Sequence, residues 1–416
     1  MQHHYIPHSP TASNNLINNL PVSSDIKKDL KNRLLDLGRR PGLDSTTNKV
    51  SLPLEELKKR SENKKLKYHL QNIAGNILND HRVGFCMKHL GHTHTSVKIK
   101  QKKEGSYYSG LATCNSIWVC PVCASKISEQ RRERIATLSK NFPSKMLATL
   151  TLQHNMGDSL EDLSKALKSA WRRMKMGKAW VELQRDLDLY GYITSFEITY
   201  GENGWHPHLH VLFLSENPGA YANIDEIEEK ILSRYIKALE KEGHIAKEYA
   251  CDVQEADENG ANYPGKWGLE HEMTKSTIKE GKGIKPFQLL DLIGSGYTKY
   301  IGIFREYANV TKGMKQLTFS KTLREYEVEI EDPEEQETDD PVFVELTYQQ
   351  FKIIVRKKLR AEVLRIADIS TIQEFWYYLN SIGIRRNPDQ HIPGDLIEII
   401  DFDVGYTQMQ PDKMSK

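Results

Sequence analysis

The sequence predicts an α+β protein organised around one antiparallel sheet of the ferredoxin-like, split βαβ kind, and three observations carry that expectation. Between residues 146 and 255, segments of alternating apolar residues are interleaved with segments of helical period, in the order strand, helix, strand, strand, helix, strand. Cysteines cluster before this block. An acidic run beyond it separates it from a helical stretch. The 416 residues can bury a full-sized core without disulfide staples.

Each element has a local cause. The first eighty residues carry Ser-Pro, Asn-Asn, Ser-Ser and Pro-Gly steps and a lysine-rich run from Leu57 to Lys67, which reads as a mobile arm ending in a short helix. From Ser125 to Leu138, Ile127, Ile135 and Leu138 recur among arginines and predict a basic amphipathic helix. Met146 to Gln153 reads as a strand, Ser159 to Leu189 as one or two helices, and Tyr192 to Tyr200 as a second strand. The Asn203-Gly204 turn leads into a third strand, His208 to Leu214, followed by a helix over Ile224 to Glu242 and a fourth strand over Glu248 to Glu255. A mostly helical segment to about Lys279, a loop, and a helix ending near Val310 come next. In the last helical stretch, Thr347 to Ile382, the spacing of Phe351, Ile354, Val355 and Leu359 predicts packing against a partner surface. The expected divisions are an arm over 1–80, a cysteine-rich module with the basic helix over 81–140, the sheet domain over 141–324, an acidic linker over 325–346 and a helical tail over 347–416.

The net charge of +2 averages over an uneven distribution. Glu325 to Asp340 holds ten acidic residues and no Lys or Arg, so the rest of the chain carries 58 basic against 46 acidic residues. That remainder suits a polyanionic partner. Five cysteines, no charged start followed by an apolar run, and no stretch of eighteen apolar residues lead to the expectation of a soluble, cytoplasmic protein with reduced thiols and no membrane association.

The strongest chemical signal is Gly204-Trp205-His206-Pro207-His208-Leu209-His210-Val211-Leu212-Phe213-Leu214. Alternate residues of a strand share a face, so His208 and His210 point one way and Leu209, Val211 and Phe213 the other. Two imidazoles so placed can hold one divalent cation. Pro207 has no N–H for a ladder and belongs at the first residue or an edge, which puts His206 at the mouth. Glu197, in the preceding strand, is the candidate third ligand, and a carboxylate there favours a hard ion, Mg2+ or Mn2+. A surface cluster or a hydrogen-bonded core trio is the bland alternative for these histidines.

A histidine, a bulky apolar residue and a histidine on a central strand resemble the signature of the HUH endonucleases, and the chain is similar to the plasmid and phage rolling-circle replication initiators of that superfamily. Leu147-Ala148-Thr149-Leu150-Thr151-Leu152 fits the strand that precedes the histidines in that family. Tyr263-Pro264-Gly265-Lys266-Trp267-Gly268, followed by Glu272-Met273-Thr274-Lys275, matches the family's Tyr-x-x-Lys nucleophile motif. Lys266, three positions on, would share a helix face with Tyr263 and steady the phosphate. The pattern departs at Pro264-Gly265, a poor helix interior, which places Tyr263 before the first turn. Tyr297 and Tyr300 are rival nucleophiles. They lie in a stretch with Arg305-Glu306-Tyr307 and Lys312-Gly313-Met314-Lys315-Gln316-Leu317 that resembles a structural segment of the family.

The resemblance, which covers roughly residues 83 to 325, implies attack of Tyr263 on a phosphodiester beside an ion at His208 and His210. A 5′-phosphotyrosine and a free 3′ hydroxyl that primes synthesis would result. It also implies single-stranded or supercoiled origin DNA as substrate, a host helicase and a DNA polymerase as partners, and an acidic residue among Glu255, Asp257 and Glu258 for the second step. A mobilisation relaxase or single-strand transposase shares the chemistry, although Tyr5 lacks a fitting context for a relaxase. A zinc-containing DNA-binding regulator without catalysis is the rival from another class.

Cys120-Pro121-Val122-Cys123 gives the close pair of a metal knuckle, and Cys114 and the distant Cys86 would complete a four-thiolate Zn2+ site. His89, His92 or His94 could replace Cys86, and a redox pair is the other alternative. Cys251, alone in an apolar strand, reads as a buried small residue. Arg131, Arg132 and Arg134 on the basic helix, with Arg172 and Arg173, are candidate DNA phosphate contacts or a solvated helix face.

Overall fold

A computed structural model describes residues 54–256, 283–331 and 339–387. In chain order its elements begin with helix α1 (Leu54–Ile77), the hairpin β1 (Ser96–Lys102) and β2 (Gly105–Ser109), helix α2 (Pro121–Ser139) and strand β3 (Ser144–Thr151). Helices α3 (Leu160–Met174) and α4 (Lys178–Asp186) lead to β4 (Gly191–Gly201), β5 (Gly204–Ser215), helix α5 (Ile224–Glu240) and the short β6 (Asp252–Glu255). Then come α6 (Pro286–Gly294), α7 (Tyr300–Val310), β7 (Leu317–Phe319), α8 (Arg324–Glu331), β8 (Val342–Thr347), α9 (Tyr348–Arg356), α10 (Arg360–Ile369) and α11 (Ile372–Ser381).

These elements form two compact units, neither of them a consecutive stretch. One gathers the described parts of residues 1–62, 87–112 and 339–416, and the other those of 63–86 and 113–338. The linear division of the sequence therefore differs from the folded one. The expected acidic linker contains regular structure at both ends, because α8 runs from Arg324 into it as far as Glu331 and Val342–Thr347 closes it as a strand. Val344 and Leu346 supply the period-two apolar face that makes β8 a strand.

In the first unit the sheet order is β2-β1-β8, all antiparallel, with Val97 opposite Leu346 and Ile99 opposite Val344. These four residues are buried together with Phe351, Ile354, Val363 and Phe375 of the following helices. The Tyr108 ring meets Phe351 edge-on at 5.2 Å, and the Tyr108 hydroxyl donates to the Arg360 carbonyl. The apolar face of the tail is thus covered by the chain's own β1–β2 hairpin, which corrects the expected partner surface.

The second unit is built on a five-stranded antiparallel sheet of order β6-β3-β5-β4-β7. The split βαβ block supplies the first four strands, with α3 and α4 between β3 and β4 and α5 between β5 and β6. Helix α3 is capped by Ser159, whose side chain accepts from the Asp162 N–H. Its Trp171 packs against Phe213 on the face of β5 opposite the histidines. On the histidine-bearing face, Ile135 and Leu138 of α2 pack with Leu147, Ile193, Leu212 and Leu214, so α2 covers one end of that face and leaves the histidine end to polar side chains.

Pro207 lies inside β5, paired with Ile198, instead of at its first residue. Strand β3 stops at Thr151, opposite His208, so at Pro207 the central strand has a neighbour on one side only. The missing N–H is tolerated there for the reason that confines proline to sheet edges. The helical segment expected between Asp257 and Lys279, including Tyr263 and Lys266, lies outside the described residues. No helix among the described residues is long and apolar enough to cross a membrane.

Candidate active site and metal centre

Strand register brings the candidate ligands together. Glu197 of β4 lies directly opposite His208, with Thr151 of β3 on the other side; Ser195 and Thr149 flank His210 in the same way. Cross-strand pairs of one face are neighbours, so the threonines, the histidines and the carboxylate form one polar patch at the centre of the sheet. The rings of His206 and His208 are 4.4 Å apart between centroids, and those of His208 and His210 are 5.7 Å apart. His154 stacks on His206 at 4.6 Å.

Each group is oriented by a partner. His210 Nδ1 lies 3.1 Å from Thr149 Oγ1, and its Nε2 lies 2.9 Å from Glu197 Oε2. His206 Nε2 lies 2.7 Å from Thr151 Oγ1. His208 differs: its Nδ1 is buried and has no hydrogen-bond partner among the described residues. A buried polar atom left unsatisfied costs free energy and calls for an explanation, and a ring nitrogen with a free lone pair is what a metal ligand offers.

The electrostatics suit such a role. Burial lowers the pKa of His208 against the opposing pull of Glu197. Burial, with the neighbouring His208 and His154, also lowers His206 to about 4. Burial pushes the Glu197 carboxyl up, but the His210 hydrogen bond and the charges of His208, His210 and Lys285 outweigh it and hold the group at about 2. Lys285 Nζ lies 3.8 Å from Glu197 Oε1. Neither Lys285 nor the orienting threonines were legible as site residues. Only the Leu-Ala-Thr-Leu-Thr alternation, which puts both threonines on the histidine face, could have pointed to the latter. Among the described residues, His208, His210 and Glu197 do not converge within 4.8 Å as the cysteines do.

The second centre is closed. Cys86, Cys114, Cys120 and Cys123 are all buried, and their sulfurs lie within 4.8 Å of one another. Sγ–Sγ separations are 3.4 Å for Cys86–Cys123, 3.6 Å for Cys114–Cys123 and 3.7 Å for Cys86–Cys120. Tetrahedral Zn–S bonds of about 2.3 Å place sulfurs about 3.8 Å apart, so the donor set and spacing fit a four-thiolate metal site and are consistent with zinc. Cys120 caps the N-terminus of α2, where its sulfur accepts from the Cys123 N–H, and Cys86 Sγ accepts from the Cys114 N–H at 3.4 Å. Gln71 of α1, fully buried, donates to the Cys86 carbonyl and to Cys120 Sγ. Nothing in sequence spacing marks Gln71, which is 49 residues from Cys120. His89, one of the three histidines considered as a substitute for Cys86, instead meets the Tyr348 hydroxyl at 2.8 Å. Cys251 is buried beside the Thr151 carbonyl.

The candidate phosphate contacts divide. Arg132 pairs with Glu129 and Arg173 with Glu242. Arg131 donates to Gln316 Oε1, and with Arg132 it lines a shallow cleft shared with Ser195, the register partner of His210. Arg134 is half-exposed on the same helix, and Arg172 is exposed on the far face of the sheet. Tyr297 is 55% exposed, and Tyr300 begins α7. Glu255 ends β6 opposite Met146, well along the sheet from His208.

The second unit thus carries an oriented histidine row on its sheet and a separate, closed thiolate site. A family profile described as "Replication protein" matches residues 109–358, and the chain belongs to that family. Its similarity to rolling-circle initiators, read from the histidine strand, agrees with that membership. Among its relatives is a protein of Streptomyces lividans named "Protein rep", 33% identical over 152 residues, covering 29% of this chain and 33% of that one. Another, from Streptomyces cyanogenus and named "Neomycin resistance protein", is 31% identical over 134 residues, covering 25% and 31%. The chain spans about a third of the length of these curated relatives. No solved structure matches.

Proposed function

We propose that the protein initiates rolling-circle replication by cutting and rejoining one DNA strand at a plasmid or phage origin, on a ferredoxin-like HUH sheet. The observation that carries this reading is the juxtaposition of His208, with its buried unsatisfied Nδ1, and the ionised Glu197 across one strand pair. The strand order β6-β3-β5-β4 is the one a split βαβ sheet requires, and it supports the same reading.

His208, His210 and Glu197 would hold a divalent ion, Mg2+ or Mn2+, which when bound supplies Lewis-acid polarisation of a phosphate oxygen. Thr149 keeps His210 turned toward Glu197, and the carboxylate and ring nitrogen that share a proton at 2.9 Å would both turn to the ion. Helix α2 brings Arg131 and Arg132 beside Ser195 to receive the DNA backbone. Tyr263 Oη, once deprotonated, attacks phosphorus; the bond to the 3′ oxygen breaks, and that oxygen leaves as a hydroxyl after taking a proton. The reverse attack by a 3′ hydroxyl frees Tyr263 and rejoins the strand. Lys266 neutralises the phosphate. These two roles rest on the Tyr-x-x-Lys motif and family membership. Zn2+ in the cysteine cluster would have a structural part only.

The test is incubation of the protein and its Tyr263→Phe variant with labelled single-stranded DNA from the origin of its own replicon and Mn2+, resolved on a denaturing gel. A covalent adduct in the parent and none in the variant is expected. An adduct retained by the variant would move the nucleophile to Tyr297 or Tyr300, and no adduct in the parent would favour a non-catalytic DNA-binding regulator.

A further inference from the structure

On the face of the second unit's sheet opposite the histidines is a cavity of about 480 Å3, set between the end of α3, helix α4, the start of β4 and residues 320–322. Its lining holds three cationic side chains, Arg172, Lys175 and Lys321, and three aromatic ones, Trp180, Tyr190 and Tyr192, with no carboxylate among the described lining residues. The catalytic reading uses none of this beyond a general phosphate contact at Arg172.

The cavity is built, not incidental. Lys175 Nζ sits over the rings of Trp171 and Tyr192, 4.7 and 5.0 Å from their centroids, and donates to the Tyr192 hydroxyl at 3.0 Å. The turn that carries it is fixed by Arg234, which donates to the carbonyls of Met174 and Met176. The floor is tied by hydroxyls: Ser320 Oγ accepts from the Tyr192 N–H, and Thr322 Oγ1 donates to the Tyr190 carbonyl. A Cβ on Gly191 would stand 2.7 Å from both hydroxyl oxygens, so this close approach needs glycine.

We infer that this cavity binds one nucleotide unit of a DNA strand, its base among Tyr190, Tyr192 and Trp180 and its phosphate at Arg172 and Lys321. The volume falls within the roughly 300–1,000 Å3 of small-ligand sites. Aromatic surface beside cations, without acidic competitors, is how sequence-tolerant single-strand binding is achieved. Along β4, Tyr192 is five residues from Glu197 and so faces the other side of the sheet, which makes the cavity a site separate from the histidine patch. The inference rests on the proposal that the protein handles single-stranded DNA.

The test is photocrosslinking of the full chain to oligonucleotides carrying 5-iodouracil at successive positions, with adducts mapped by mass spectrometry and free 5-iodo-deoxyuridine monophosphate run in parallel. The expected result is an adduct on Tyr190, Tyr192 or Trp180 with the oligonucleotide. The double variant Arg172→Ala, Lys321→Ala should lose that adduct and bind the strand roughly tenfold more weakly. Both side chains are exposed, so an unchanged melting temperature would confirm that the variant is folded. Adducts confined to other peptides, with unaltered affinity in the variant, would overturn the inference. So would a cavity adduct formed by the free mononucleotide alone. Nicking is scored separately: a cavity adduct in a protein that forms no phosphotyrosine would sink the strand-cutting reading and leave the cavity assignment standing.

Discussion

The sulfur cluster and the histidine patch lie in the same unit, yet they are made differently. The four cysteines come from two loops and a helix terminus, are sealed from solvent, and satisfy one another and nearby N–H groups. The histidine patch sits on the middle of one sheet, partly open, with the His206 and His210 rings held by a threonine or a carboxylate and His208 Nδ1 left without a partner among the described residues. A closed set of donors stabilises a fold and leaves no coordination position for substrate. An open set on rigid strands can admit one.

That contrast can be broken at several points. The largest effect is expected from Cys120→Ser, which removes a thiolate from a site whose metal binding is coupled to folding by about 10 kcal/mol or more in small zinc domains. Loss of bound zinc by elemental analysis and loss of a cooperative melt should accompany each other; a variant that melts like the parent without zinc would show the cluster to be dispensable. Next in size, His208→Ala should reduce Mn2+-dependent strand cutting on the order of 10²-fold or more, while zinc content stays at the parental value. Coupled loss of both metals would mean that the two centres are not independent. Gln71→Ala, which removes the donor to Cys120 Sγ, should weaken zinc retention about 10–100-fold against a competing chelator and leave nicking at saturating zinc unchanged.

The smallest effect is a pH dependence confined to the open centre. His206 has its pKa lowered from 6.5 to about 4, and His208 is lowered as well, so the folded state binds fewer protons than the unfolded chain. The His206 contribution is complete above pH 6.5 and is lost as pH falls toward 4, and that of His208 changes in the same direction. Glu197, held at about 2 against 4.5, acts in a lower window, present above 4.5 and lost toward 2. The melting temperature should therefore fall between pH 6.5 and 4.5 in the parent and fall less in His206→Gln. Parallel curves for the two proteins would remove His206 from the account.

Legibility in the sequence followed the same division. The histidine strand could be read because period two is short-range, and His208, Leu209 and His210 announce their faces without outside information. The cysteine pair at 120 and 123 was readable from its spacing, whereas the choice of Cys86 over His89, His92 or His94 needed the fold. Gln71 and Lys285 were not, because each reaches its partner through tertiary packing. Strands β1 and β8 escaped for another reason. Lysines alternate with the apolar residues of one and an acidic run precedes the other, so charge masked the alternation of Val97 with Ile99 and of Val344 with Leu346. Pro207 misled in the opposite direction, since a strand interior can act as an edge where its neighbour ends.

The pairing of β1 with β8 has a consequence for how the chain is made. Val97 leaves the ribosome long before Leu346, its partner, and at about 5–20 residues per second the wait is roughly 10 to 50 s. Throughout that interval the hairpin β1–β2 has an open edge, and the sheet of the other unit can be completed first. Lys98, Lys100 and Lys102 are the kind of residue that keeps such an edge from pairing with another nascent chain. The last strand to arrive is thus a latch that closes only after the histidine-bearing segment has been synthesised.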